Sequence, residues 1–400
     1  MELGVASYLK KINKSLILSK IIKHGPISRS DLAIITKLTK ATISAQAANL
    51  LEEELIIESH TEYNSVGRKP IMLSLRTNAG YALGIDLDYR DIKFTVSDLM
   101  GNPVHTDRVE LKNSNYDEII QILINQIRAY QQKFSHSHFG IIGVVIGIHG
   151  TVTNDKIISF VPQHRWYNKD LKTDLEKNVN IEVTVENNAN LCAFAEKVFN
   201  FHQCTNLINI SMYSGIGMGF LMNGDLVKGY HGFAGEMGHM IIQPDGKPCN
   251  CGKSGCWELY ASEVSFFKQI SEKLAKPILN YEDIKNLVIA RNPAVITAMD
   301  EYIKYVSIGL NNIINLLNPE TLVLNSELLK QFPEAMSIIK SNIKTSISNY
   351  KEIYISDLGT NACGMGACAL AIKNFLELPD LSLTINPNVL VHCIESKGIS

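Results

Sequence analysis

Apolar residues recur at helical spacing from Ser15 to His24, where Leu16, Ile17, Leu18, Ile21 and Ile22 precede a stop at Gly25-Pro26. A second helix is expected over Arg29–Ile35, with Ser28 as its cap and Asp31 completing a near capping box. A third begins after the N-cap Thr39 and runs through Leu51, with Ile43, Ala47, Leu50 and Leu51 as its inward stripe. Two short apolar strands follow, Leu55-Ile56-Ile57 and Ile71 to Leu75. The tip between them, Val66-Gly67-Arg68-Lys69-Pro70, carries two cations. Three helices followed by a two-stranded ribbon predict a winged helix-turn-helix over residues 1–76.

Beyond residue 76 the pattern changes to buried strands separated by helices. Tyr81–Asp88 reads as a strand, Ile92–Ser97 as its antiparallel return, and Asp98 to Asn102 as a hairpin. Tyr116–Phe134 predicts a long helix with Ile119, Ile120, Leu123, Ile124 and Ile127 on one face. Ile141–Ile148 is a strongly apolar strand ending in His149-Gly150-Thr151-Val152. A strand entering a helix is expected over Val183–Asn190, another strand over Asn206–Met212, and a glycine-rich turn over Tyr213–Gly219. A mostly helical span, Ser262–Leu317, precedes a strand at Thr321–Leu324, and Gly364-Met365-Gly366-Ala367 opens a last helix. The alternation predicts an α/β body. A doubly wound dehydrogenase is the competing architecture, but no G-x-G-x-x-G follows the first strand.

Charge separates the two parts. Residues 1–76 carry 11 Lys and Arg against 7 Asp and Glu, a net of +4, which leaves 27 against 33, a net of −6, for the remainder. A basic head suits a polyanion. Ser28, Arg29, Thr39, Lys40, Ala41, Thr42, Ser44 and Gln46 are the small or polar residues expected to meet DNA, with Arg68 and Lys69 on the wing. The plainer alternative is a trihelical protein-interaction module. No apolar run reaches the roughly 18 residues of a membrane helix, and Met1–Lys11 lacks signal-peptide order. A cytoplasmic protein is expected.

The densest chemistry lies in Gly235–Glu258, which holds His239, Cys249, Cys251, Cys256, Glu236 and Glu258. One imidazole and three thiolates at this spacing predict a closed tetrahedral set for structural zinc. Thiolate ligands disfavour magnesium or calcium. Lys247-Pro248, Gly252 and Gly255 permit the tight turns that bring these cysteines together. The remaining cysteines, Cys192, Cys204, Cys363, Cys368 and Cys393, read as small core residues.

With this metal segment, the run Glu186-Asn187-Asn188-Ala189-Asn190, and the stretch from Val66 through Leu73 to Gly84-Ile85-Asp86, the chain resembles the ROK family of repressors, open reading frames and kinases. The resemblance implies an actin-like ATPase (ribonuclease H-like) body of two lobes, roughly 77–190 and 191–400, behind the winged head. It implies a sugar pocket lined by Thr151, Asn187, Asn188, Glu236, His239 and Glu258, with His239 serving metal and sugar through its two ring nitrogens.

Family kinases carry D-x-G-G-T after the first strand, an aspartate base in E-N-D-A-N, and a late G-G pair. Here Asp86-Leu87-Asp88-Tyr89-Arg90, Asn188 and Asn325-Ser326 stand in those places. An amide cannot act as a general base. The resemblance therefore implies a sugar-responsive repressor that is not an enzyme, a homodimer reading operator DNA. The stretch from Val66 is most similar to xylose-responsive members, which makes xylose the first effector and glucose or another hexose the second. The alternatives are a sugar kinase with an appended DNA-binding domain and a repressor sequestered by a protein partner.

Overall fold

The computed structural model describes residues 2–60, 70–278, 280–347 and 349–384. Its head consists of α1 (Glu2–His24), β1 (Ile27–Ser28), α2 (Arg29–Thr36), α3 (Lys40–Glu52), β2 (Ile56–His60) and β3 (Ile71–Leu75). Capping sets the helix starts: Ser28 Oγ accepts from the Asp31 amide at 3.1 Å, and Thr39 Oγ1 from the Thr42 amide at 3.2 Å. Ile17, Leu32, Ile43, Ala47, Leu50 and Leu73 are fully buried between these elements.

The head differs from the sequence expectation in two respects. Helix α1 begins at Glu2, well before Ser15, because Tyr8, Leu9 and Ile12 are exposed and leave no inward stripe to read. The wing has a third strand, since β1 pairs antiparallel with β3 beside β2. Two residues are too few to show alternation.

The body opens with β4 (Tyr81–Leu87), β5 (Asp91–Ser97), β6 (Pro103–Glu110), α4 (Tyr116–Lys133) and β7 (Ile141–Ile148). A small sheet of β8 (Thr151–Val152), β9 (Ile158–Val161) and β10 (Trp166–Lys169) follows, then α5 (Leu171–Glu176), β11 (Val183–Asn187) and α6 (Asn188–Phe199). The second half contains β12 (Leu207–Ser211), β13 (Gly217–Met222), β14 (Asp225–Leu226), α7 (Glu258–Ala261), α8 (Glu263–Lys273), α9 (Tyr281–Ile289) and α10 (Pro293–Leu317). It closes with β15 (Thr321–Asn325), α11 (Glu327–Lys330), α12 (Ala335–Ile343), β16 (Glu352–Ile355) and α13 (Ala362–Phe375).

Two five-stranded mixed sheets result, ordered β11-β7-β4-β5-β6 and β14-β13-β12-β15-β16, with α6 and α13 packed against each other between them. Strand β6 escapes a hydrophobic reading because it is an edge strand with largely exposed residues, and β16, the edge of the other sheet, because it is only four residues long. The expected turn at Tyr213–Gly219 extends only to Ile216, and β13 begins at Gly217; its Gly219 lets α6 approach so closely that a Cβ there would lie 2.2 Å from the Ala189 carbonyl oxygen.

Residues 191–400 do not form one lobe, because α13 returns to the first sheet. A Cβ at Gly84 of β4 would fall 2.2 Å from the Gly364 carbonyl oxygen, so α13 lies directly on that strand. The far end of α13 reaches the head: Lys11 Nζ is 2.9 Å from Glu377 Oε1, and Ser15 Oγ donates to the Glu377 carbonyl at 3.2 Å. Head and α13 share one continuous apolar core that includes Ile17, Leu73, Ala371 and Ile372. Among the described residues no helix is long and apolar enough to cross a membrane.

Candidate functional site

The cleft between the two sheets holds two adjoining cavities of about 410 and 460 Å³. Thr151, Asn187, Asn188, Glu236, His239 and Glu258 all line the first. They come from the end of the β7–β8 turn, the start of α6, and the segment between β14 and α7, so three separate parts of the chain converge.

Their chemistry differs residue by residue. Asn187 is occupied by the backbone: its Oδ1 caps α6 through the Ala189 and Asn190 amides at 2.8 and 3.2 Å, and its Nδ2 donates to the Gly150 carbonyl at 2.9 Å. It shapes the wall rather than offering free hydrogen bonds. The Glu236 carboxyl is pushed up by burial and by neighbouring Glu258, with His239 only partly offsetting this. Glu258 Oε1 lies 3.3 Å from Cys249 Sγ and 3.5 Å from His239 Nδ1, so that carboxylate edge faces the sulfur cluster.

Cys249 Sγ lies 3.6 Å from His239 Nδ1, Cys251 Sγ lies 3.6 Å from Cys256 Sγ, and all four ligand atoms fall within 4.8 Å of one another. A tetrahedral ion about 2.3 Å from each sulfur holds its ligands roughly 3.7 Å apart, close to the two 3.6 Å separations, so the cluster could hold a metal ion. His239 Nδ1 faces the thiols, while Nε2 turns toward the cavity, 4.0 Å from Glu236 Oε2. Cys192, Cys204, Cys363 and Cys368 are buried, and Cys393 lies outside the described residues.

Two further features of the cleft carry no sequence assignment. His149 sits where the two cavities meet, its Nε2 2.8 Å from Asp86 Oδ1 and its Nδ1 3.7 Å from Asp88 Oδ1. Burial opposes its charge, but Asp88 and Asp86 outweigh that and push the imidazole up to about 9. The residue stands in the conspicuous run ending β7, yet its partners lie 63 positions upstream and only strand pairing reveals them. Glu186 is the second feature, a buried carboxylate ion-paired with Lys156 at 2.9 Å and with Lys228 across the cleft. Burial raises its pKa, but Lys228 and Lys156 hold it below the ordinary carboxylate value.

The second cavity is lined by Tyr89, Arg90, Lys93 and Arg108, with Tyr213, Glu263 and Asn325 on the opposite side. Tyr213 donates to Asn325 Oδ1 at 2.6 Å, and Ser326 donates to buried Glu263 at 2.6 Å. Burial pushes the Glu263 carboxyl up to about 7.

On the head, Thr39, Lys40, Ala41 and Ser44 are exposed at the start of α3 and Thr42 is half-buried. Arg29 is ion-paired with Glu58 at 2.5 Å. Two residues expected to face DNA do not. Gln46 is buried, its Nε2 donating to the Lys10 carbonyl at 3.3 Å, because it lies one turn from Ile43 on the inward face. Ser28 is buried as the α2 cap, bonded to Ser30 and Asp31. Arg68 and Lys69 lie outside the described residues.

Residues 82–374, which contain both sheets and the whole cleft, match the model of the ROK family. The chain belongs to the ROK family. Within it, the chain is 36% identical to the xylose repressor of Bacillus subtilis (strain 168), over 94% of this chain and 99% of that one. The DNA-binding transcriptional dual regulator NagC of Escherichia coli (strain K12) is 26% identical, covering 86% of this chain and 87% of NagC. In three dimensions the chain resembles a ROK family transcriptional regulator described as a homologue of the E. coli MLC protein, with TM-score 0.78, 23% identity, and 97% and 99% of the two chains covered. A ROK family glucokinase from Streptomyces griseus matches with TM-score 0.63 and 23% identity over 73% of this chain and 99% of the glucokinase. The repressor likeness thus includes the head, and the body has the two-lobed actin-like ATPase fold.

Proposed function

We propose that this ROK protein is a sugar-responsive, DNA-binding transcriptional repressor that binds a monosaccharide in the first cavity without phosphorylating it. The observation that carries this reading is end-to-end similarity to a xylose repressor, head included, joined to a cleft whose phosphoryl-transfer groups are missing. Asn188 occupies the place of the base, and an amide has no useful basicity. Asp88 and Tyr89 stand where phosphates need bare backbone, adding a like charge and a ring. Asn325 and Ser326 fill the late glycine positions with side chains held by Tyr213 and Glu263.

A coupled assay with ATP and D-xylose, D-glucose and N-acetylglucosamine is expected to show no turnover above background. A rate on the order of 1 s⁻¹, ordinary for an enzyme, would establish the kinase reading instead.

Xylose is the first effector in this reading, with glucose or another hexose second. Thr151, Asn188, Glu236, His239 and Glu258 form the polar wall that pairs with adjacent hydroxyls, and Asn187 holds that wall in place. Zinc is the ion that best suits three thiolates and one imidazole; as a closed structural centre it would supply rigidity and no chemistry. His239 then orients one nitrogen to the thiol cluster and the other to the sugar.

Two winged heads of a homodimer would read operator half-sites through Arg29, Thr39, Lys40, Ala41, Thr42 and Ser44, with Arg68 and Lys69 on the wing. Closure of the lobes around sugar has a physical route to the head. Asn154 Nδ2 donates across the cleft to the Gly229 and Tyr230 carbonyls at 3.2 and 2.9 Å, and α13 spans from the cleft floor at Cys363 to the α1 contact at Glu377. A rigid helix bearing on both sites biases sugar and DNA binding against each other.

A further inference from the structure

We propose that His149 is a positioning residue that turns the Asn188 amide so that its NH2 group, not its oxygen, faces the sugar. The site then selects for a hydrogen-bond acceptor at one hydroxyl position. This inference rests on the sugar-binding reading of the first cavity.

The geometry begins with strand register. Ile148 of β7 pairs with Leu87 of β4, so the next residue, His149, hangs between Asp86 and Asp88. Its Nε2 donates to Asp86 Oδ1 at 2.8 Å, and its Nδ1 faces both Asp88 Oδ1 at 3.7 Å and the Asn188 amide nitrogen at 3.4 Å. The other groups around the ring do not neutralise it. His164 is pushed down by burial, Cys192 of α6 and Cys363 of α13 close the buried side, and Lys93 of β5 acts on Asp86 from behind.

Between two carboxylates the imidazole keeps its second proton up to about pH 9. At pH 7 both ring nitrogens therefore donate. An Asn188 NH2 directed at Nδ1 would set donor against donor. A half-turn of the amide exchanges nitrogen for oxygen with no other movement, and Oδ1 then accepts from Nδ1–H. The NH2 group is left facing the cavity that Asn188 lines. When the ring loses its second proton, Nδ1 becomes an acceptor and the amide reverts.

The sign follows. A pKa raised above the ordinary histidine value adds folded-state stability that is fully present below about pH 6.5 and is lost as pH rises through about 9. The preference for an acceptor should follow the same window, full from pH 6 to 8 and lost by pH 10.

Calorimetric titration of the full chain with D-xylose and D-glucose, and with monodeoxy and monofluoro analogues of whichever binds, tests this. Fluorine accepts a hydrogen bond weakly but cannot donate one. At one ring position the deoxy sugar should lose about tenfold in affinity, the scale of one hydrogen bond, while the fluoro sugar recovers part of that loss. The contrast should disappear at pH 10 and in His149→Gln, and Asn188→Asp should reverse it. If His149→Gln does not fold, the pH series on the natural chain decides alone. Binding of neither sugar would overturn the sugar-binding reading itself. Binding with deoxy and fluoro analogues equally weak at every position, or a contrast between them that persists at pH 10, would leave that reading standing and overturn the role of His149.

Discussion

On the proposed reading of the cleft, His239→Ala is expected to weaken metal binding and sugar binding together. The ring contributes Nδ1 to the thiol cluster and presents Nε2 toward Glu236 in the sugar cavity. Truncation leaves three thiolates around an open coordination position and removes a hydrogen-bond partner from the sugar. Metal affinity should fall by at least the 10- to 100-fold that loss of a supporting partner alone causes, because here a ligand itself is lost. Metal content by atomic emission, read beside the sugar dissociation constant, separates the two effects. A His239→Ala protein that kept both its metal and its sugar affinity would refute the dual role.

The second large effect belongs to Trp257, which lies between the ligand Cys256 and the cavity residue Glu258 and is fully buried. Its ring rests on α10 at Gly309, where a Cβ would meet the indole at 2.0 Å, and its Nε1 donates to the Tyr305 carbonyl at 2.9 Å. The backbone on either side is pinned as well, since the Trp257 amide donates to the Met240 carbonyl at 2.8 Å. Trp257→Ala leaves a cavity and removes the indole hydrogen bond, an expected loss of about 3–5 kcal/mol of stability. Trp257→Phe keeps most of the volume and should cost about 0.5–1.5 kcal/mol, the scale of one hydrogen bond. Urea unfolding of the three proteins measures both. A Trp257→Ala loss under about 1 kcal/mol, far below the usual cost of a buried aromatic truncation, would mean the indole does not anchor the metal segment.

How much of this the chain discloses on its own depends on whether a feature is local. The helix caps Ser28 and Thr39 and the cluster His239, Cys249, Cys251 and Cys256 are local patterns, and the side chains meet in space as their spacing suggests. Gln46 shows a local pattern overruled by residue type: three positions after Ile43, it lies on the buried stripe, yet its polarity suggested a solvent face. The features that could not be read are long-range. Asp86, Asp88, His149 and Asn188 become neighbours only through the pairing of β4 with β7 and of β7 with β11. The return of α13 to the first sheet likewise depends on Gly84 meeting Gly364, a contact between residues 280 positions apart in the sequence.

The proposed separation of recognition from catalysis has a physical basis in these same residues. The cleft has a polar wall suited to hydroxyls, and His149 with its carboxylates stands where its two cavities meet. What is left is binding energy, and binding energy that differs between two lobe arrangements is sufficient for control of DNA affinity.

The most direct test is the affinity of the purified protein for a DNA duplex selected from a random library, measured by fluorescence anisotropy with and without sugar and in the absence of ATP. Repressor function through sugar binding requires D-xylose, or failing that D-glucose, to lower operator affinity by about 5- to 150-fold, the usual range of coupling between two sites. Operator affinity unchanged by every sugar, or changed only when ATP is present and a sugar phosphate accumulates, would contradict it.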